Sequence, residues 1–235
     1  MPILELFPAK DFYTTCAFND FRPGQFCWVV TPVINPIPQI LDVERATPTE
    51  HDEVKYLIRS ANRSDDFRRK DRTLPLHWLQ LQSSEELLLQ RAKKRLGIVL
   101  CSEVDAYQDI ATLLRQSGKK HLQEDCIFVV PAYGIKNEYH PGGFPPEMIY
   151  RVRSLLYRQF FYFPDGPKIG EGVARFDRIQ VVVGKGRSAI EPIDTCLSDE
   201  ALGLFISFFT YCITGEKDED LAAIIQLVQE GIQTP

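Results

Sequence analysis

The chain lacks any Cys-x-x-Cys pair: its six cysteines (Cys16, Cys27, Cys101, Cys126, Cys196 and Cys212) are scattered. That spacing matches neither a zinc pattern nor a secreted disulfide framework, and it leaves cysteine to act as a small buried hydrophobe. Only four histidines occur (His51, His77, His121 and His140), none in an H-x-x-x-H or H-E-x-x-H relation, which removes the helical zinc-hydrolase signatures. Long hydrophobic runs are missing too. The longest, Ala201 to Ile213, is too short for a bilayer and is broken by Ser207 and Thr210. The opening Met1-Pro2-Ile3-Leu4-Glu5-Leu6 has no basic segment leading into an apolar one, so no signal peptide and a cytoplasmic location are expected. Gly184-Lys185-Gly186-Arg187-Ser188 lacks the G-x-x-x-x-G-K spacing and reads as a plain turn. Internal repeats and low-complexity segments are absent as well.

What is present suits an ordinary globular protein. The 235 residues are 44% hydrophobic and 25% charged, enough for one large domain or a small one with a sizeable insertion. The net charge of −5 argues against a protein that coats nucleic acid without specificity. That charge is uneven, however: Arg59 to Arg95 carries a net +5, whereas Ala189 to Pro235 carries −8. A basic middle can hold a local anion site; each stretch alone also reads as a solvated polar face.

Phe21-Arg22-Pro23-Gly24 is a turn signal, and Gln25-Phe26-Cys27-Trp28-Val29-Val30 after it reads as a buried strand. Pro32, Pro36 and Pro38 then forbid a central strand or a helix. The charged segment that follows holds an expected helix around Glu50 to Ser60. A second is expected where Ser83 and Glu86 form a capping box ahead of Leu87-Leu88-Leu89. Leu96 to Cys101 and Cys126 to Val130 are short apolar strands, with helical spacing between them from Val104 to Gln116, ended by Gly118. Met148 to Leu156 fits an alternating strand or a helix, and Gly172 to Val183 one long strand or a pair. Ser198 caps a helix with Asp199 and Glu200 in its first turn. A last amphipathic helix sets Leu221, Ile224, Ile225, Val228 and Ile232 on one stripe. Short strands with terminal helices suggest a small β-barrel core in an α+β, mainly β protein.

The segment that stands out chemically is Gly172-Val173-Ala174-Arg175-Phe176-Asp177-Arg178-Ile179. On a strand, Arg175 and Asp177 share one face while Phe176 turns into a core. A cation beside a carboxylate can neutralise a phosphate while moving a proton. An isolated Arg-x-Asp is ordinarily just a surface ion pair. Its setting is what matters here. It follows Phe21 to Val29, Lys94-Arg95-Leu96-Gly97-Ile98-Val99-Leu100-Cys101-Ser102, and Cys126-Ile127-Phe128-Val129-Val130-Pro131-Ala132-Tyr133-Gly134 in order.

This series resembles the PemK/MazF (Kid-like) family of toxin endoribonucleases, over about half of the chain. The resemblance implies an SH3-like barrel spanning 1–235, with an inserted helical segment at about 31–93 and a helical C-terminal extension at about 197–235. It implies a homodimer, an antitoxin protein as partner, and cleavage of single-stranded RNA with neither metal nor cofactor. Carried over, Arg175 neutralises the scissile phosphate or protonates the leaving oxygen, Asp177 activates the ribose 2′-hydroxyl, and Arg95 adds charge at the same phosphate. Tyr133, Lys94, Arg178 and His140 complete the expected substrate-binding set. The nucleophile is already on the substrate, so proton transfer and charge stabilisation suffice.

There are departures. Tyr133-Gly134 stands where the family has Thr-Ser, Leu96 follows Arg95 in place of proline, and Gln25 takes the acidic position of the first motif. The acidic charge, the lost Thr-Ser pair and the insertion favour an alternative, a catalytically inactive relative of the same fold that binds nucleic acid or a protein, while the retained Arg175, Asp177 and Arg95 favour the ribonuclease; an unrelated α+β enzyme is the third reading. Asp65-Asp66 and Asp218-Glu219-Asp220 lack calcium-loop spacing and read as solvated turns. Trp78 reads as a core residue of the insertion, with base stacking as the functional alternative. His140, in Tyr139-His140-Pro141, reads as a surface histidine or as an aid to acid–base work.

Overall fold

The computed structural model describes residues 7–18, 21–45, 47, 54–62, 64–68, 81, 84–101, 110–119, 126–136, 141–183 and 190–230. In chain order the strands are β1 (Tyr13–Thr15), β2 (Gln25–Pro32), β3 (Gln39–Arg45), β4 (Val54–Ser60), β5 (Leu88–Leu89), β6 (Ala92–Cys101), β7 (Cys126–Gly134), β8 (Phe160–Phe163), β9 (Gly172–Arg175), β10 (Gln180–Val183) and β11 (Ile190–Leu197). The helices are α1 (Ala111–Gln116), α2 (Pro146–Arg153), α3 (Asp199–Thr214) and α4 (Glu219–Glu230). This is an α+β protein built mainly from antiparallel strands. The chain divides into two compact units, Met1–Thr31 with Lys94–Pro235, and Pro32–Lys93. No helix among the described residues is long and apolar enough to cross a membrane.

The larger unit carries an eight-stranded sheet in the order β1-β11-β2-β6-β7-β9-β8, with β10 also pairing β7. Among the described residues this path stays open at β1 and β8. Buried side chains of β2, β6, β7 and β10 (Cys27, Val29, Val99, Ile127, Val129 and Val182) form one apolar cluster. Burial pushes the Cys27 thiol up to about 12. The larger cluster is aromatic, and Phe161, Phe176, Phe205 and Phe208 lie at its centre. The rings of Phe161 and Phe176 each sit 5.1 Å from that of Phe205 on α3.

Helix α3 is fixed at both ends. The Ala201 N–H donates to Ser198 Oγ at 3.3 Å, with Asp199 and Glu200 in the first turn. Gly215 closes the helix at φ +80°, a conformation that glycine adopts without strain. Asp218 does not simply face solvent: its Oδ1 accepts from the Leu221 N–H at 2.7 Å and caps α4. Within the expected last stripe, Leu221, Ile225 and Val228 are buried, and Ile232 lies outside the described residues.

Several expectations change. Met148 to Arg153 falls in α2 and Ser154 to Leu156 follows it; Pro146 starts the helix, and Ile149 and Val152 are buried one turn apart. The long apolar segment from Gly172 splits into β9 and β10 around a 3-10 turn, Phe176–Arg178. Of the expected 104–116 helix, the described part is α1; residues 102–109 lie outside.

The smaller unit is not the expected helical segment. Its described elements form a three-stranded antiparallel sheet, β4-β3-β5. The helix expected at 50–60 is instead β4, paired along its whole length from Gln39↔Ser60 to Arg45↔Val54. Val54, Tyr56 and Ile58 suit a pleated strand, and cross-strand pairing outweighs local helical spacing. Leu88 and Leu89 pair with Ile40 and Gln39 rather than starting a helix, and Ser83 lies outside the described residues. Asp66 is buried, not solvated. Its carboxylate accepts from Arg59 at 2.6 and 2.8 Å and from the Asn62 N–H at 2.6 Å.

Candidate functional site

Arg175 ends β9, and the chain then turns tightly instead of running on as a strand. The expected strand face is therefore replaced by a turn, yet the pair still meets. Arg175 Nε donates to Asp177 Oδ1 at 3.0 Å and Nη2 to Oδ2 at 2.5 Å, a bidentate fork. Phe176 points the other way, 2% exposed, against Phe161, Phe205, Phe208 and Phe209. That anchor fixes the turn, and the turn presents the two charged side chains. Arg178 approaches the same carboxylate, Nε to Oδ2 at 3.5 Å. The hydrogen bonds to Asp177 raise the Arg175 pKa above its usual value, against the opposing effect of burial.

Strand register brings in the rest. Gly97 pairs with Pro131 and Ile98 with Val130 across β6 and β7; two residues further, Arg95 falls opposite Tyr133. The Arg95 guanidinium lies 4.4 Å from the Tyr133 ring centroid. The Arg175 guanidinium lies 5.5 Å from the same ring and 5.5 Å from that of Phe160, its partner on β8. The structure thus brings together Arg95, Tyr133, Arg175, Asp177 and Arg178. It does not bring in Lys94. Alternation turns Lys94 to the other face of β6, where it forms an ion pair with Glu191. His140 lies outside the described residues, as do Trp78 and Gly184 to Ser188.

Two features were not assigned from sequence. Phe160 flanks Arg175, and its signal was the dense aromatic run Phe160-Phe161-Tyr162-Phe163. Beside it, Tyr162 donates its hydroxyl proton to Glu171 Oε1 at 2.6 Å, and Arg153 of α2 forms an ion pair with the same carboxylate. The Arg153 guanidinium lies 4.9 Å from the Tyr162 ring centroid. Burial pushes the Glu171 carboxyl up, but the hydrogen bonds from Tyr162 and Arg153 outweigh it and hold the group below its usual range. This network ties α2 to the start of β9. There Gly172 is obligatory by packing, since a Cβ would meet the Phe163 ring at 2.2 Å.

The departures from the expected motif have physical reasons. Gln25 is fully buried. Its Nε2 donates toward the carbonyls of Ala17 (3.1 Å), Phe18 (3.1 Å) and Ile193 (2.8 Å). A donor suits those three carbonyls, and an ionised carboxylate in its place is disfavoured. Tyr133 and Gly134 pair with Val173 and Gly172, so the place of the Thr-Ser hydroxyls is taken by an aromatic ring lying against guanidiniums.

The arrangement has a definite chemistry: a half-exposed carboxylate, cations on either side of it, and an aromatic floor. Such an arrangement can meet an anion and accept a proton next to it. Compared with known families, curated proteins and solved structures, the chain matches none of them.

Proposed function

We propose that the chain is a PemK/MazF-like endoribonuclease on an SH3-like barrel core, cutting single-stranded RNA without a metal. The observation that carries this reading is the bidentate Arg175–Asp177 pair beside Arg95 stacked on Tyr133. These are three residues at which the motif order implied catalysis, and they meet on one surface. Asp177 takes the proton of the ribose 2′-hydroxyl as that oxygen bonds to phosphorus. The bond from phosphorus to the 5′ oxygen breaks, and that oxygen takes a proton from solvent. The products are a 2′,3′-cyclic phosphate and a 5′-hydroxyl end. With its pKa raised, Arg175 is suited to neutralise the phosphate and poorly suited to give up a proton. A homodimer and an antitoxin protein are the partners that go with this reading.

The binding-only alternative draws on one observation. Both Arg175 and Arg178 already lean on Asp177, and substrate has to reopen that fork. Cleavage of a long single-stranded RNA in EDTA separates the two, with Arg175→Ala and Asp177→Ala run alongside. Cutting by wild type that both substitutions abolish supports the ribonuclease. No cutting by folded wild type supports the binding relative. Cutting that survives both changes refutes the site.

A further inference from the structure

We infer that Arg158 is a second phosphate contact of this site, so that it grips an RNA strand over more than one internucleotide phosphate. The inference rests on the ribonuclease reading and adds a residue that the motif pattern did not contain.

A backbone hydrogen bond next to the strands brings Arg158 near. Phe160 pairs with Arg175 across β8 and β9. The ladder continues one step beyond the strands, where the Phe176 N–H donates to the Gln159 carbonyl at 3.0 Å. Arg158 precedes Gln159 in the turn that leads into β8, and Asp177 follows Phe176 in the 3-10 turn, so the two residues flank this hydrogen bond. The other end of the side chain agrees: Arg158 Nη1 lies 3.5 Å from where a Cβ on Gly215 would stand, at the C-terminal end of α3. Cys212 lies within the last turn of α3, where burial pushes its thiol up. That thiol also feels both charges, Arg158 lowering its pKa and Asp177 raising it. All three groups therefore share one neighbourhood.

Arg158 is exposed, and among the described residues it has no hydrogen bond or ion pair. The partial negative charge at the end of α3 holds a guanidinium nearby without consuming its donors. Arg175 is different, since its fork is spent on Asp177. The row thus runs from Arg95 on β6, through the Arg175–Asp177 pair, to Arg158 next to β8. At about 4.8 Å per strand, three steps separate the outer strands by roughly 14 Å. That span exceeds a single phosphate and suits a strand laid across the sheet. Arg175 and Arg178 lean on the Asp177 carboxylate, Arg95 shares the Tyr133 ring with Arg175, and Arg158 lies beside them, in a chain whose net charge is −5. Such local excess is what a polyanion needs and what a helix-stabilising arginine alone does not explain.

The test uses the full chain and a labelled octanucleotide with 2′-O-methyl riboses, which binds without being cut. Affinity is measured across salt concentration for wild type, Arg158→Ala, Arg158→Lys and Arg151→Ala, with thermal melts to confirm folding. Each lost phosphate contact lowers the slope of log K against log salt by about 0.7 for a single strand. Arg158→Ala is expected to show that loss and weaker binding, Arg158→Lys to keep the slope, and Arg151→Ala, a surface arginine paired with Glu147, to leave it unchanged. An unaltered slope in folded Arg158→Ala, or an equal drop in Arg151→Ala, overturns the inference and leaves the ribonuclease reading standing. A wild type that neither holds the octamer nor cuts RNA overturns both.

Discussion

Replacing Gln25 by glutamate changes one nitrogen to oxygen in a closed cage of backbone carbonyls. The side chain is 0% exposed and its Nε2 lies 2.8 to 3.1 Å from three carbonyl oxygens. The swap conserves volume, so the cost is electrostatic, with no cavity contribution. In its protonated form the introduced carboxyl retains one donor, and losing the other hydrogen bonding costs about 1 to 2 kcal/mol. In its ionised form it faces three carbonyl oxygens in a buried site, so its folded pKa rises from the usual ~4.3 to about 7. The sign follows from that rise. The folded state binds the proton more tightly, so stability is fully present below about pH 4.3 and is lost as pH rises toward the folded value. The added loss reaches about 3 to 4 kcal/mol at pH 7, since each tenfold change in proton affinity is worth about 1.4 kcal/mol. Urea titrations of wild type, Gln25→Glu and Gln25→Met at pH 4.5 and pH 7 measure it. Gln25→Met loses the same donors without a charge, so its deficit is expected to be independent of pH. A Gln25→Glu protein with the same deficit at both pH values would refute the cage.

Phe176→Ala is expected to cost about 3 to 5 kcal/mol and to release the turn that holds Asp177. On the ribonuclease reading, RNA cleavage should fall even where the fold survives, measured at a temperature below the mutant's melting point. Glu171, held below its usual range, contributes stability that is present above the unfolded carboxylate value and lost as pH falls through its own. Wild type should therefore lose melting temperature on acidification more steeply than Glu171→Gln does, and parallel melting curves from pH 6 to pH 3 would count against that role.

Some of this was legible in the chain. The strands at 25–30, 96–101 and 126–130 were visible as apolar runs between turn residues, and the Ser198 cap as a local signal. The β3–β4–β5 sheet was not legible, because Tyr56, Leu57 and Ile58 are exposed and alternate in no pattern that marks a buried face. The turn at Phe176–Arg178 was hidden for another reason. Arg175 and Asp177 share a side, and Phe176 opposes them, whether the backbone runs straight or turns. What decides is a ring packed into α3, a contact across some thirty residues that no local window contains. The Arg95–Tyr133 stack likewise depends on the register between β6 and β7. Arg158 carried no motif at all; only its place in the turn before β8, next to the Gln159–Phe176 hydrogen bond, marks it.

The anchoring of Phe176 on Phe205 and Phe208 also sets the time at which the site comes into being. Its charged groups come from positions 95, 158, 175, 177 and 178, but the turn that aligns the pair waits for a helix that starts at Asp199. During synthesis every charged member has been made before the Arg175–Asp177 turn has its anchor. The pair is aligned only once that helix docks, so a growing chain that has not yet reached it has the residues of the proposed ribonuclease without the geometry of one.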